Sequence, residues 1–74
     1  KIFPNPTEGQ FTINNIKADD VIVLTEVSGR QMLKTIASGE TQQLNISQMA
    51  QGLYLITVSR NGKIVVNDKI IKVK

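Results

Sequence analysis

The stretch LYLITVSRNGK, residues 53–63, decides the fold of this chain. Within it, every second residue from Tyr54 to Val58 is apolar and falls on one face, and the intervening residues fall on the other, as in a half-buried β-strand. The dipeptide formed by Asn61 and Gly62 follows, and both residues tolerate the positive φ angles of a two-residue type I′ turn. The pattern therefore predicts a β-hairpin.

Short strands, separated by turn signals at intervals of roughly ten residues, are predicted through the rest of the chain. They cover residues 10–15, 19–27, 31–37, 41–47, 53–60 and 63–74, with the last strand interrupted near Asn67 and Asp68. We expect residues 47–52 to form a short helical turn, with Ser47 as its cap. The apolar run from Val21 to Leu24 predicts a central strand that is covered on both sides, or nearly so.

These strands define the fold class. The chain has no convincing helix, and its connections are too short for the crossovers of a parallel sheet. About seven short strands therefore predict an all-β fold, an immunoglobulin-like antiparallel β-sandwich. The cysteine and tryptophan residues that mark antibody domains are absent.

Length and composition limit what the chain can do. Its 74 residues form one domain, residues 1–74, too short to enclose a roomy active site. Because the chain starts at Lys1 rather than at a methionine, we expect it to be excised from a larger secreted parent protein. It has no cysteine and no histidine, so we expect no catalytic residues, no metal site and no cofactor. No apolar run approaches the ~20 residues of a membrane span.

The remaining polar and aromatic residues suggest no chemistry. Asp19 and Asp20 are expected to point to opposite faces and to serve as solvated turn residues rather than as a catalytic pair. The other acids lack the spacing of a calcium-binding loop. The three aromatic residues do not interleave with the basic ones, so nucleic-acid binding is not expected.

The positive charge of the chain is concentrated at its C-terminus. Residues 60–74 carry five basic residues and one acid, a net charge of +4, whereas the first 59 residues sum to −1. Lysines on a terminal edge strand can discourage pairing with other chains. Alternatively, a free edge at the chain end can be extended by a receptor that adds a strand of its own. The residues alone slightly favour the first interpretation.

The segment FPNPTEGQ, residues 3–10, predicts a rigid corner before the first predicted strand. Pro4 and Pro6 fix their own backbone angles and lack an N–H group. The side chain of Asn5 can bond to nearby backbone amides, and Gly9 can close the turn. Such a corner is typical of a stiff connection.

Four segments, in this order, resemble one family: FPNPTEGQF, VLTEVSGRQM, LNISQMAQGLYLITV and KIIKVK. The resemblance is to the C-terminal sorting domain of type IX secretion cargo, the type A or Por secretion tail, and it runs over residues 1–74. The matching positions are Pro4, Asn5, Pro6 and Gly9 in the opening corner, Gly29 with Arg30 in a turn, Gly52 with Tyr54 at the strong strand, and Lys69 with Lys72 at the end. Glu26 departs from the pattern, because an aspartate is usual there.

The resemblance implies a signal that directs a cargo protein, attached on its N-terminal side, across the outer membrane of a Gram-negative bacterium. It implies folding in the periplasm, recognition by the type IX translocon with its shuttle and sortase components, and in many cases removal by a sortase-like peptidase. The cargo would be secreted or held at the cell surface. The predicted contact with the machinery is the last strand, with the residues Lys69, Ile70, Ile71, Lys72, Val73 and Lys74.

The alternative is a structural or glycan-binding immunoglobulin-like module at the cell surface. The absence of tryptophan and the small number of aromatic residues that could stack on sugars argue against it. The edge strands would permit a dimer, but none is predicted.

Overall fold

The computed structural model describes all 74 residues, Lys1–Lys74. It contains seven β-strands and no helix, which confirms the predicted all-β class. The strands are β1 (Ile2–Phe3), β2 (Gln10–Asn14), β3 (Val21–Glu26), β4 (Gln31–Ile36), β5 (Thr41–Asn45), β6 (Gly52–Arg60) and β7 (Lys63–Lys72).

The strands form two antiparallel sheets that pack face to face. The smaller sheet has the order β1-β2-β5, and the larger has the order β4-β3-β6-β7. In constant-type immunoglobulin domains the fourth strand joins the sheet of the first, second and fifth strands, whereas here β4 pairs with β3. The predicted immunoglobulin-like sandwich is confirmed, with this one strand in the opposite sheet.

The core lies between the two sheets and is made by alternate residues of their strands. Phe11 and Ile13 point inward from β2, and every second residue from Tyr54 to Val58 points inward from β6, as predicted. No layer covers the outer side of the larger sheet, so Val21 and Val23 are only half-buried. The prediction that this central strand is covered on both sides, or nearly so, is therefore wrong for its outer side, where no layer packs on it.

The hairpin of β6 and β7 has the predicted two-residue turn. Asn61 has a φ of 53° and Gly62 a φ of 79°, as a type I′ turn requires. The register shifts where Val58 pairs with Val66 and the next residue of β6 pairs with Ile64, which leaves Val65 as an unpaired bulge. The predicted interruption near Asn67 and Asp68 is wrong, because both residues pair in register with β6.

The connection between β5 and β6 is a turn rather than the predicted helical turn. The Met49 amide donates to the Ile46 carbonyl, and no helical bonds follow. This segment must carry the chain from one sheet to the other within a few residues. That span is too short to repay the cost of nucleating a helix.

Candidate functional site

At its C-terminal end, from Lys69 to Lys72, the strand β7 alternates between solvent and core. Ile70 is fully buried and Lys72 is only 3% exposed. The four other residues predicted to meet the secretion machinery are exposed, namely Lys69, Ile71, Val73 and Lys74. These four can contact a partner while the domain stays folded, and the two buried residues cannot.

The outer edge of β7 is occupied by the opening corner of the chain. The Asn5 side-chain amide donates to the Lys69 carbonyl at 2.9 Å, and its oxygen accepts from the Ile71 amide at 3.1 Å. The Thr7 amide donates to the Ile71 carbonyl at 2.8 Å, and the Val73 amide donates to the Thr7 carbonyl at 2.8 Å. In the folded domain, strand addition along residues 69–73 is therefore excluded, because the edge groups already have partners.

The corner is itself held to the smaller sheet. The buried Thr7 hydroxyl donates to the Gln10 carbonyl at 2.7 Å and accepts from the Gly9 amide at 3.1 Å. The Gly9 carbonyl accepts from the Ile46 amide at 2.7 Å. A Cβ atom on Gly9 would lie only 2.8 Å from the Cβ of Ser47, so the close approach requires glycine. The corner thus connects both sheets at one end of the sandwich.

Lys72 has a structural place at this end of the sandwich. It lies opposite Gly52 in the pairing of β7 with β6, and it forms a parallel bridge with Thr7. Its Nζ donates to the Lys74 carbonyl at 3.1 Å, and it makes no ion pair. Burial of a cation needs such a hydrogen bond. Lys72 therefore positions the chain end rather than offering its charge to a partner.

Gly52 and Tyr54 fix the start of β6. Gly52 has a φ of 145°, a conformation that side chains other than glycine rarely adopt. Tyr54 is 5% exposed, and its hydroxyl donates to the Ala50 carbonyl at 2.6 Å. Their structural role is to set the residue at which β6 begins.

The turn between β3 and β4 accommodates Glu26, at the position where the resemblance leads us to expect an aspartate. The Gly29 amide donates to the Glu26 carbonyl at 2.9 Å, and Gly29 has a φ of 95°. The Ser28 hydroxyl donates to the Glu26 carboxylate, and Arg30 forms an ion pair with it. These contacts, that of Ser28 first, lower the pKa of Glu26. The turn is complete with the longer acid.

The opposite end of the sandwich holds an ion pair between a buried aspartate and a half-buried arginine, which the sequence does not predict. Asp20 is 1% exposed, and its carboxylate accepts from Arg60 at 2.8 and 2.7 Å and from the Lys17 amide at 2.9 Å. The hydrogen bond from Arg60 is the main reason that the pKa of Asp20 falls to about 2. Asp19 is exposed, as expected, but the prediction of a solvated Asp20 is wrong. Arg60 lies 40 residues from Asp20 in the chain, so no local sequence pattern predicts the pair.

The surface has two open hollows. The larger, of about 540 Å³, lies beside the opening corner between Pro6, Gln10 and Ser47. The smaller, of about 280 Å³, lies on the outer side of the larger sheet next to Leu55. No group of three or more acidic side chains is placed to hold a metal ion. Open, shallow surfaces of this kind suit contact with another macromolecule.

Comparison with protein families identifies the family to which this chain belongs. The model of the secretion system C-terminal sorting domain matches residues 1–74. The chain belongs to this family. The sorting domain is a C-terminal signal for type IX secretion, which takes its cargo to the cell surface or outside through the outer membrane. The alternative of a glycan-binding or purely structural module is not favoured.

Two further findings complete the comparison. No curated protein matches the sorting domain. None of its elements is a helix that could cross a membrane.

Proposed function

We propose that the sorting domain is recognised in the periplasm as a folded module, by the type IX translocon and its shuttle and sortase components. The contact is made by the exposed side chains of the last strand, Lys69, Ile71, Val73 and Lys74. One observation carries this proposal: the backbone edge of that strand is bonded to Asn5 and Thr7, so only side chains remain for a partner.

The charge of the domain supports the same contact surface. Arg60 is paired with the buried Asp20, whereas Lys69 is exposed and forms no ion pair. Lys74 lies 3.5 Å from Glu8, and both side chains are largely exposed, which makes this a weak pair. The free positive charge near the C-terminus would speed the encounter with an acidic surface of the machinery.

The opening corner serves as the junction with the cargo. The cargo domain precedes Lys1, and the corner joins it to both sheets through Thr7 and Gly9. A peptidase that removes the signal would act on the N-terminal side of β1, where cleavage leaves both sheets of the sandwich intact. The domain itself contributes no catalysis and needs no cofactor.

The test must separate recognition from folding. Deleting residues 68–74 removes the fully buried Ile70, so such a truncation would disturb the core as well as the signal. We therefore choose the pair Ile71→Ser and Val73→Ser, in which both side chains are exposed and the backbone bonds are kept. The control pair is Val27→Ser and Val65→Ser, which removes apolar side chains that are at least as exposed, elsewhere on the surface.

Each variant is fused behind a fluorescent protein with a periplasmic leader, in a bacterium that has type IX machinery. We expect the first pair to reduce extracellular fluorescence at least tenfold and the control pair to leave it unchanged. Thermal melting of the purified fusions checks that all variants fold. Export of the first pair at the parent rate would contradict the proposed contact.

A further inference from the structure

The outer face of the four-stranded sheet is the larger of the two outward faces of the sandwich, and no other layer covers it. Paired residues of neighbouring strands share a face, so the register places Leu53 opposite Ile71 and Leu55 opposite Lys69 on this side. In the same way, Val21 lies opposite Ile36 and Val23 opposite Lys34. We call this surface the outer face.

An apolar band crosses the outer face diagonally, over all four strands. In order, it contains Ile71, Leu53, Leu55, Val23, Val21 and Ile36. Ile71, Leu53 and Leu55 are 43%, 39% and 38% exposed, and Ile36 is 52% exposed. Single exposed apolar residues are ordinary on a protein surface, whereas a contiguous band of them marks a contact surface.

Basic residues flank the band, and no acidic residue lies on this face. Lys34 lies on the edge strand β4 at one side of the band, and Lys69 lies on the edge strand β7 at the other. The smaller hollow, of about 280 Å³, opens between Leu55 and Lys69 and is large enough for an inserted side chain. Asp68 lines that hollow from the edge, but in the register it faces the other side, opposite Ile56.

The size and charge of the outer face indicate which kind of molecule covers it. Four strands of about six residues span roughly 400 Å², about half of what each partner contributes to a stable complex. Two copies packed through this face would bring their lysines together, and these like charges would repel each other. A lipid surface is a poor match, because two lysines contribute only about 1 kcal/mol each and no aromatic side chain lies on the face.

We propose that the outer face docks, transiently, a protein of the export machinery whose own contact surface is apolar at its centre and carries carboxylates at two margins. This inference rests on the proposed function, and it extends the contact surface from the last strand to Leu53, Leu55 and Lys34. The apolar band provides the contact, and the two lysines set its orientation.

The test uses two variants outside the last strand, Leu55→Glu and Lys34→Glu, in the same reporter fusion. Both side chains are exposed, so thermal melting should show folded domains. The matched controls are Val27→Glu and Lys63→Glu, which make the same changes at exposed positions away from the outer face. We expect Leu55→Glu to reduce export at least tenfold and Lys34→Glu about threefold, with both controls at the parent rate.

The outcomes distinguish the three molecules that could cover the outer face: a protein of the export machinery, a second copy of the domain, or a lipid surface. Export of both face variants at the parent rate would overturn this inference and leave the proposed function standing, whereas failure of the parent fusion to be exported would overturn both. Sedimentation of the purified domain, alone and with phosphatidylglycerol vesicles, tests the other occupants. A dimer or vesicle binding that Leu55→Glu abolishes would assign the face to a second copy or to lipid, and would also overturn the inference.

Discussion

The side-chain oxygen of Asn5 accepts a hydrogen bond from the backbone amide of Ile71, 66 positions further along the chain, at 3.1 Å. The same side chain donates to the Lys69 carbonyl. The asparagine side chain therefore forms the hydrogen bonds that the backbone of a neighbouring strand would otherwise form. The corner where the domain begins and the strand that carries its exposed C-terminal residues therefore form one structural unit.

Replacing Asn5 by alanine should weaken this unit. Two hydrogen bonds are lost at a partly solvated edge, so we expect a loss of about 1 kcal/mol in the free energy of unfolding. Urea unfolding of the purified domain measures the change. Asn67→Ala, at an exposed position of the same strand, should change it by less than about half as much. Equal effects of the two substitutions would show that Asn5 does not hold the strand.

Gly9→Ala should destabilise the domain through a steric clash. The added Cβ would lie 2.8 Å from the Cβ and 3.0 Å from the Cα of Ser47, so the backbone of one segment must move. We expect a cost of about 1–3 kcal/mol. Gly39→Ala is the matched control, because a Cβ there meets no atom within 4 Å. The melting temperatures of the two variants compare them directly, and a Gly9→Ala domain as stable as the control would rule out the close packing.

The ion pair of Asp20 and Arg60 predicts how stability depends on pH. The pKa of Asp20 is lowered from 3.8 to about 2, so its contribution is fully present above the unfolded value and is lost as the pH falls through the folded value. The melting temperature of Asp20→Asn should lie below that of the parent at neutral pH, and the gap should narrow between pH 4 and pH 2. Glu26 is present in both proteins and does not affect the comparison.

Asp19→Asn serves as the control for this prediction at neutral pH. Asp19 is exposed and has a φ of 75°, a conformation that asparagine tolerates well. Its substitution should change the melting temperature far less than Asp20→Asn does. A gap between the parent and Asp20→Asn that stays constant down to pH 2 would show that the ion pair does not form.

Tyr54 should contribute mainly through burial. Tyr54→Ala would leave a cavity between the sheets and should cost about 3–5 kcal/mol, as for a core phenylalanine. Tyr54→Phe removes only the hydrogen bond to Ala50 and should cost about 0.5–1.5 kcal/mol. Urea unfolding of both variants separates the two contributions. A small effect of Tyr54→Ala would contradict the placement of this residue in the core.

The features that could be predicted from the sequence are those encoded locally. The alternation in residues 53–60 predicts which side of β6 is buried, and the Asn61-Gly62 pair predicts its turn. The sequence predicts an interruption near Asn67 and Asp68, because these residues resemble turn residues, yet both pair with β6 and the irregularity is a bulge at Val65. Local composition does not reveal a register that tertiary packing imposes.

The contacts that the sequence could not reveal join residues far apart in the chain. Asn5 was identified as part of a motif, but its bonds to Lys69 and Ile71 depend on how the two ends of the chain meet. The pair of Asp20 and Arg60 is hidden for the same reason. The sequence analysis assigns Lys69 and Lys72 to the same contact with the secretion machinery. In the structure Lys69 is exposed and Lys72 is buried, because alternate residues of a strand face opposite sides.

The most direct test of the central claim is an export assay with residues 1–74 fused at the C-terminus of a fluorescent protein that carries a periplasmic leader. The fusion is expressed in a strain with intact type IX machinery and in its translocon mutant. Fluorescence outside the cell only in the intact strain is the result that we predict. Folded reporter retained in the periplasm of both strains would contradict the account.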